Sequence, residues 1–574
     1  MVTIYENKQS DEERVKEKVN AEPQYEPEPD QDNDNSSNDL SPYIYEFVNS
    51  YNAKLRQESN SVGPKITVSA VLGKLATLYE RIRTTVEYKG EHVLRRNAIE
   101  RMIKRLVWEQ GTVRQNIDTQ KVAETLVKEM IWAHYLPNDF IPLSKIRVLT
   151  AVLEKYLYLL RNIDNIPDGS NNSKIRTWFW GVASSEIEEV LDPSYREIYV
   201  MLMYEWFNDF YNWRDTEISD HDKDIQIMLA IHRAYMKSDE AIMRYHLLLK
   251  EFKEWRNADK AMVNKLIVGF PEIYREIESH LNFRGGLPLY RKIQKNSAAF
   301  DIFHEIALKH KSKLAELLKD KNKFEDVIRN VCESKYKMIS KRVNTGIVRS
   351  IIYIFLTKIV IAMLIEIPYE LYFLEDIRLI PLTINILIPP VLMWMIGLSI
   401  KVPGAKNTEQ IVQKLNSVTY RSANISKTDF SLIKQNKKSS MSTIFGLLYS
   451  ILFVLVFGGV TYLLALLNFT IFGTLIFFMF LSAVLLFAFR IRYNANQLKV
   501  DSSEESLSGH FVSYLTLPFL NLGFYLSRGL AKINFLTIIL DFLIEIPLKN
   551  VIEIFEEWTS FIREKKEEVV EMPE

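Results

Sequence analysis

Residues 443–467 read TIFGLLYSILFVLVFGGVTYLLALL, and after one asparagine residues 469–489 read FTIFGTLIFFMFLSAVLLFAF. Neither stretch holds a charged residue. A helix rises about 1.5 Å per residue, so each can cross a hydrocarbon layer of about 30 Å. A helix also satisfies its backbone N–H and C=O groups internally, which lipid demands. Upstream lie two further apolar runs, Ile347 to Tyr369 and Leu379 to Ile400. Before them comes a long charged region with helical periodicity. The predicted fold is therefore all-α: a soluble helical domain, a four-helix transmembrane module and a C-terminal amphipathic helix.

Composition supports this division. Lys plus Arg and Asp plus Glu each total 72, so the formal net charge is zero. Residues 1–40 nevertheless hold twelve acids and four bases. Such a segment cannot bury a core and reads as a disordered acidic tail. The single cysteine, Cys332, excludes an intrachain disulfide and argues against a cysteine-based zinc site. The first twenty residues show no apolar signal core, so the N-terminal part is expected to stay on the synthesis side of the membrane.

Residues 41–340 read as one soluble helical domain, large enough to bury its own core and to fold alone. Val68, Val71, Leu72, Leu75, Leu78 and Tyr79 line one side of a predicted helix over 66–88. Asp118 or Thr119 is placed to cap a helix ending near His134, Ser144 one ending near Asn162, and Ser238 another. Asp192-Pro193 is a cap followed by proline at the first helical position. Phe270-Pro271 and Arg284-Gly285-Gly286 read as breaks. No long period-two alternation predicts a strand. Tyr195, Tyr199, Leu202, Trp206, Phe210 and Trp213 form an aromatic core stripe. Trp178-Phe-Trp180 is a candidate contact surface.

Residues 341–400 form the first transmembrane hairpin, 401–441 a basic loop, 442–490 the second hairpin with a tight turn near Asn468, and 491–510 a polar linker. The loop 401–441 carries eight bases and two acids, whereas the link between spans 1 and 2 carries Glu366, Glu370, Glu375 and Asp376 against Arg378 alone. The positive-inside rule then places both termini in the cytoplasm and the chain in the cytoplasmic membrane. Residues 511–547 are interrupted by Pro518, Asn521 and Gly523. If they spanned twice, the return would bury Asp541 and Glu545, so they read as interfacial or re-entrant. Residues 548–574 set Leu548, Val551, Ile552, Phe555, Trp558 and Ile562 on one helix face.

Three features carry candidate chemistry. Lys358 and Glu366 lie inside span 1, where an ion is costly unless it is paired, lines a path or snorkels to the interface. With Asn385 of span 2 they are candidates for an ion path or a helix–helix contact; a snorkelling Lys358 and an interfacial Glu366 are the alternative. Pro389 and Pro390 are candidates for a kink in span 2. Arg95, Arg96, Arg101, Lys104 and Arg105 surround an apolar stripe and form a candidate basic surface for headgroups or RNA, or else a solvated helix face.

Familiar motifs fail. His304-Glu305 is followed by His310, six positions on, where a zinc protease helix needs four. Asp220, Asp222 and Asp224 open like a calcium loop, but Ile225 and Ile231 replace its glycine and its bidentate acid. The sequence offers no catalytic, cofactor-binding or metal-ligating residue set. The stretches Tyr88–Arg101 and Leu540–Pro547, with Glu556-Glu-Trp558, resemble uncharacterised multi-span membrane proteins of small-genome bacteria. That resemblance implies a bacterial membrane protein and brings no activity.

The functional expectation is a non-enzymatic membrane-anchored docking or scaffold protein. Its partners are the lipid bilayer, proteins that bind the helical domain and a second copy of the chain, with nucleic acid not expected. The alternatives are an oligomeric transporter or channel subunit built on Lys358, Glu366 and Asn385, and a membrane enzyme acting on lipid or envelope precursors.

Overall fold

The structure, a computed structural model, describes residues 40–59, 63–68, 91–113, 115–166, 172–191, 195–214, 218–283, 285–373, 378–421, 428–430, 441–500, 507–532, 554, 558, 561, 562 and 565. The acidic tail, the periodic stretch 69–88, Asp192-Pro193 and most of 533–574 lie outside them. The soluble helices are α1 (Pro42–Ser59), α2 (Glu91–Glu109), α3 (Thr119–Trp132), α4 (Ser144–Arg161), α5 (Asn172–Leu191), α6 (Arg196–Phe210), α7 (Asp220–Ile231), α8 (Glu240–Glu251), α9 (Lys260–Leu281) and α10 (Gly286–His310). The fold is all-α; among the described residues the strands are one short parallel pair, β1 (Tyr211–Trp213) with β2 (Thr428–Phe430).

Helix starts follow side-chain chemistry. Asp118, Asp239 and Asp259 each accept a hydrogen bond from a backbone N–H of the first turn, satisfying a donor the helix cannot. The caps differ from the sequence reading in two places: Ser144 is already helical, and Asp239 rather than Ser238 caps α8. Pro271 does not break the chain but sits inside α9. Val263, Leu266, Ile267 and Phe270 before it and Ile277 and Leu281 after it are all buried. Each such side chain contributes about 1.5–3 kcal/mol, which together outweighs the interruption.

The soluble helices enclose two apolar cores. One is built by α2, α3, α4, α5, α8 and α9 and contains Trp178, Phe179 and Trp180, so this aromatic triplet is interior and not a contact surface. The other is built by α1, α6, α7 and α10 around Tyr199, Trp206, Phe207, Phe300 and Phe303. Into this second core come parts read as loop or linker. Helix α11 (Lys321–Ile361) contributes Phe324, Ile328 and Cys332, and helix α12 (Leu379–Ser399) is followed by α13 (Ala405–Thr419), which buries Ile411, Val412, Leu415 and Val418 there. Leu498, beyond the last span, joins them. Asn407 ties the pieces together: Nδ2 donates to Tyr336 Oη at 2.8 Å and to Leu498 O at 2.7 Å, and Oδ1 accepts from Val500 N at 3.0 Å. Residues 405–419 of the expected basic loop thus pack into the same apolar core as helices that precede residue 340.

Among the described residues, four helices are long and apolar enough to cross a membrane: Lys321–Phe373, Leu379–Ser399, Gly446–Leu466 and Ile471–Ala495. The last two belong to α14 (Met441–Leu466) and α15 (Ile471–Ala495). Their tight turn uses Asn468 at φ 59°, a left-handed conformation that asparagine tolerates. Of the stretch expected to be interfacial or re-entrant, the described residues up to Lys532 belong to α16 (Leu507–Lys532), a helix packed along α15. Phe519 stacks on Phe478, Gly523 lies against Ser482, and Arg490 donates to Ser527, so from Phe519 onward α16 runs in the direction of α15. A Cβ on Gly523 would fall 2.6 Å from Ser482 O; the missing side chain lets the two backbones meet.

Candidate functional site

The first span changes helical pitch where its charges lie. Helix α11 passes into a π segment, Ala362–Glu366, and continues as Ile367–Phe373. In an uninterrupted α-helix, eight residues rotate a side chain by about 80° from its starting face, whereas seven return it to within about 20°. The π segment, in which Ile367 N–H bonds Ala362 O, inserts about one extra residue. Glu366 is thereby brought onto the face of Lys358. Pro368, two positions later, has no N–H to restore the regular ladder.

The two charges meet. Lys358 Nζ lies 2.6 Å from Glu366 Oε1, with the residues 0% and 4% exposed. Asn385, 1% exposed on α12, donates through Nδ2 to Glu366 Oε2 at 2.9 Å and approaches Gly473 O of α15 at 3.5 Å. The ammonium also stands 4.6 Å from the Phe480 ring centre, a cation–π arrangement. One constellation therefore joins α11, α12 and α15. Around it Ile354, Met393, Ile476, Phe480 and Val484 form an apolar collar. Asn385 Oδ1 and Ser482 Oγ are buried without a partner among the described residues.

Pro389 and Pro390 lie on the inward side of α12, which runs unbroken through them. With Pro381, Asn385, Met393 and Gly397 they make its buried stripe. Gly397 admits Ile347 of α11: a Cβ there would lie 2.7 Å from Ile347 Cγ2. Beyond the charged pair, Glu370 Oε2 accepts from Arg378 N at 3.0 Å, and Arg378 NH1 donates to Asn468 O at 2.8 Å. The link between spans 1 and 2 is thus fastened to the turn between spans 3 and 4. The parts missed by sequence reasoning are Phe480, Ser482 and the Gly473 carbonyl of α15; an uncharged apolar run gave no signal for them.

The basic helix α2 is an interior element. Arg95 and Arg96 are buried. Arg95 Nε bonds Glu188 Oε1 at 3.0 Å, and Arg96 pairs with Glu100 at 2.5 Å and Asp239 at 2.7 Å. Lys104 pairs with Glu100 at 2.5 Å, and Arg105 with Glu109 at 2.6 Å and with Glu129. Arg101 is half-buried. α2 packs on α3 and α5, so its charges serve internal carboxylates and do not present a basic surface.

Further buried polar groups lie within this first core. Lys155 Nζ donates to Glu186 Oε1 at 2.6 Å and Tyr156 Oη to Glu186 Oε2 at 2.7 Å. Burial pushes the Glu186 carboxyl up and the Lys155 ammonium down. Arg196 NH1 meets His92 Nδ1 at 2.8 Å; burial, then the neighbouring Arg196 cation, lowers His92 to about 3. Between the two cores, Glu197, His232 and His246 bring ligand-type atoms within 4.8 Å of one another.

No protein-family model, curated protein or solved structure matches the chain. Its four apolar helices mark it as a membrane protein, and no activity comes to it through kinship.

Proposed function

We propose that the chain is a membrane-anchored docking protein, with the helical domain in the cytoplasm as its binding module and the spans as its stem. The observation that carries this reading is the unbroken helix α11. It begins among Phe324, Ile328 and Cys332 of the soluble core and reaches Lys358 at the bundle centre. Nothing resembling a linker separates anchor from domain. The intramembrane charges are closed on each other and on Asn385, which suits a lock between helices better than a path. The proposed partners are the bilayer, a protein bound to the soluble domain and a second copy of the chain along the bare apolar face of α14. Basic residues flanking the spans favour cytoplasmic termini.

Two measurements test this. In a Cys332→Ser background, Tyr372→Cys, on an 82% exposed side chain beyond the charged pair, should label with an impermeant maleimide from outside sealed cells. Photo-crosslinkers at the exposed Trp108 and Val268 should yield discrete adducts with a second polypeptide. Lys358-dependent ion flux in proteoliposomes, with no adduct from either position, would instead establish the transporter reading.

A further inference from the structure

Where the two soluble cores meet, Glu197, His232 and His246 form a cluster of ligand-type side chains. Glu197 stands in the first turn of α6, His232 at the end of α7 and His246 in α8. α6 belongs to one apolar core and α8 to the other, so the group lies where the cores meet. His232 opens a second π segment, His232–Met236, closed by Lys237 in a left-handed conformation at φ 55°. Such irregularities cost free energy and occur often at functional sites.

The geometry of the group is that of ligands. His246 Nε2 lies 3.4 Å from Glu197 Oε1. Two donors each about 2.0–2.1 Å from a tetrahedral zinc ion stand roughly 3.3–3.5 Å apart. The two imidazoles face each other with ring centres 4.2 Å apart and planes inclined by 33°. All three ligand atoms lie within 4.8 Å of one another, at most about 1.5 Å beyond that edge, which modest side-chain rotations can close. His232 is fully buried, yet its ring nitrogens gain only a long approach to Ser238 Oγ, 3.5 Å, among the described residues. A histidine so placed in an ordinary core normally finds shorter bonds. Glu197 also lines a surface cavity of about 240 Å³, with Tyr43, Glu46 and Glu205, which neither histidine lines.

We propose that Glu197, His232 and His246 bind a divalent transition metal ion of the zinc type, leaving one coordination position for water or a small ligand. Two imidazoles and one carboxylate suit borderline ions better than calcium or magnesium. Burial, the largest cause for each, keeps both histidines in the neutral form that coordinates metal, holding His232 down to about 3 and His246 to about 4. The ion would bridge the two soluble cores. This site is independent of the docking reading and of the membrane lock.

The test uses the full chain purified in detergent, stripped with a chelator and titrated with Co²⁺. Visible ligand-field bands that saturate at one ion per chain and are chased by Zn²⁺ are expected. Glu197→Gln and His246→Gln should each weaken binding roughly a hundredfold or more, since even outer residues of metal sites change affinity 10–100-fold. His280→Gln, outside the group, should leave binding unchanged. Zinc X-ray absorption of the unaltered protein needs no variant and should show two imidazole ligands. Absence of saturable uptake, equal uptake in both ligand variants with unchanged circular dichroism, or an all-oxygen zinc shell would each overturn the site.

Discussion

Replacing Lys358 by methionine would remove a charge while keeping most of the side-chain volume. In a protein whose lysine merely reached for the interface, that change would be neutral or stabilising. Here the ammonium lies 2.6 Å from Glu366 Oε1 and neither residue is more than 4% exposed. Removing one partner leaves a buried carboxylate supported only by Asn385, a situation that costs about 3–5 kcal/mol. The further loss of the cation over Phe480, 4.6 Å away, acts in the same direction. Removing both charges should be different, because apolar or neutral replacement of a whole buried pair is often neutral or stabilising. Lys358→Met/Glu366→Gln keeps an acceptor for Asn385 Nδ2 and should melt near the wild type. At roughly 1 °C per kcal/mol for a unit of more than about 500 residues, the single variant should melt about 3–5 °C lower. Thermal unfolding of the full chain in detergent, followed by far-UV circular dichroism, gives the comparison. If the single and double variants lose equal stability, or the single variant loses none, the pair is not the lock described.

A fragment of residues 41–340 should expose the surface normally covered by Ile411, Val412, Leu415 and Val418, so it should bind hydrophobic dyes and aggregate. Appending residues 405–420 should restore a cooperative fold, and a well-behaved shorter fragment would refute the shared core. Gly523→Ala should cost about 1–3 kcal/mol through overpacking, because its Cβ meets Ser482 O at 2.6 Å, whereas Gly458→Ala, with nothing within 4 Å, should be silent. Acid should weaken the soluble domain. His92 is held near 3 in the fold, so the unfolded chain binds more protons between about pH 6.5 and 3, and stability must fall with pH through that window. The slope is about 1.4 kcal/mol per pH unit for that one proton; His92→Asn, which keeps an acceptor for Arg196, should flatten it. A slope unchanged in that variant would show that other groups carry the acid dependence.

The helices and the four apolar spans were legible because both signals are local: a period near 3.6, and a length of uncharged chain. Lys358, Glu366 and Asn385 could be named for the same reason, since charge and amide stand out in an apolar run. Their mutual arrangement could not be read. An offset of eight places Lys358 and Glu366 on different faces of a regular helix, and only the π segment at Ala362–Glu366 reconciles them. The basic residues of α2 misled for the opposite reason. Its apolar stripe was visible, but the carboxylates that receive its arginines, Glu188 and Asp239, come from distant helices.

The same limit explains the soluble core. Ile411, Val412, Leu415 and Val418 have helical spacing within a segment whose charge drew attention first. Nothing local states that this face completes a core begun some two hundred residues earlier at Trp206. Glu197, His232 and His246 lie 35 and 14 positions apart, far beyond any spacing that fixes two ligands on one helix. What unites these cases is closure between parts remote in sequence. α11 carries it from the soluble core to the charged lock, and α13 with Asn407 returns it from the spans to that core. Anchor and domain are therefore built as one object. A disturbance at Glu366 should be felt at Cys332, at the other end of the same helix. Hydrogen exchange around Cys332 in Glu366→Gln, faster than in the wild type, would register that coupling; unchanged exchange would show that α11 does not transmit it.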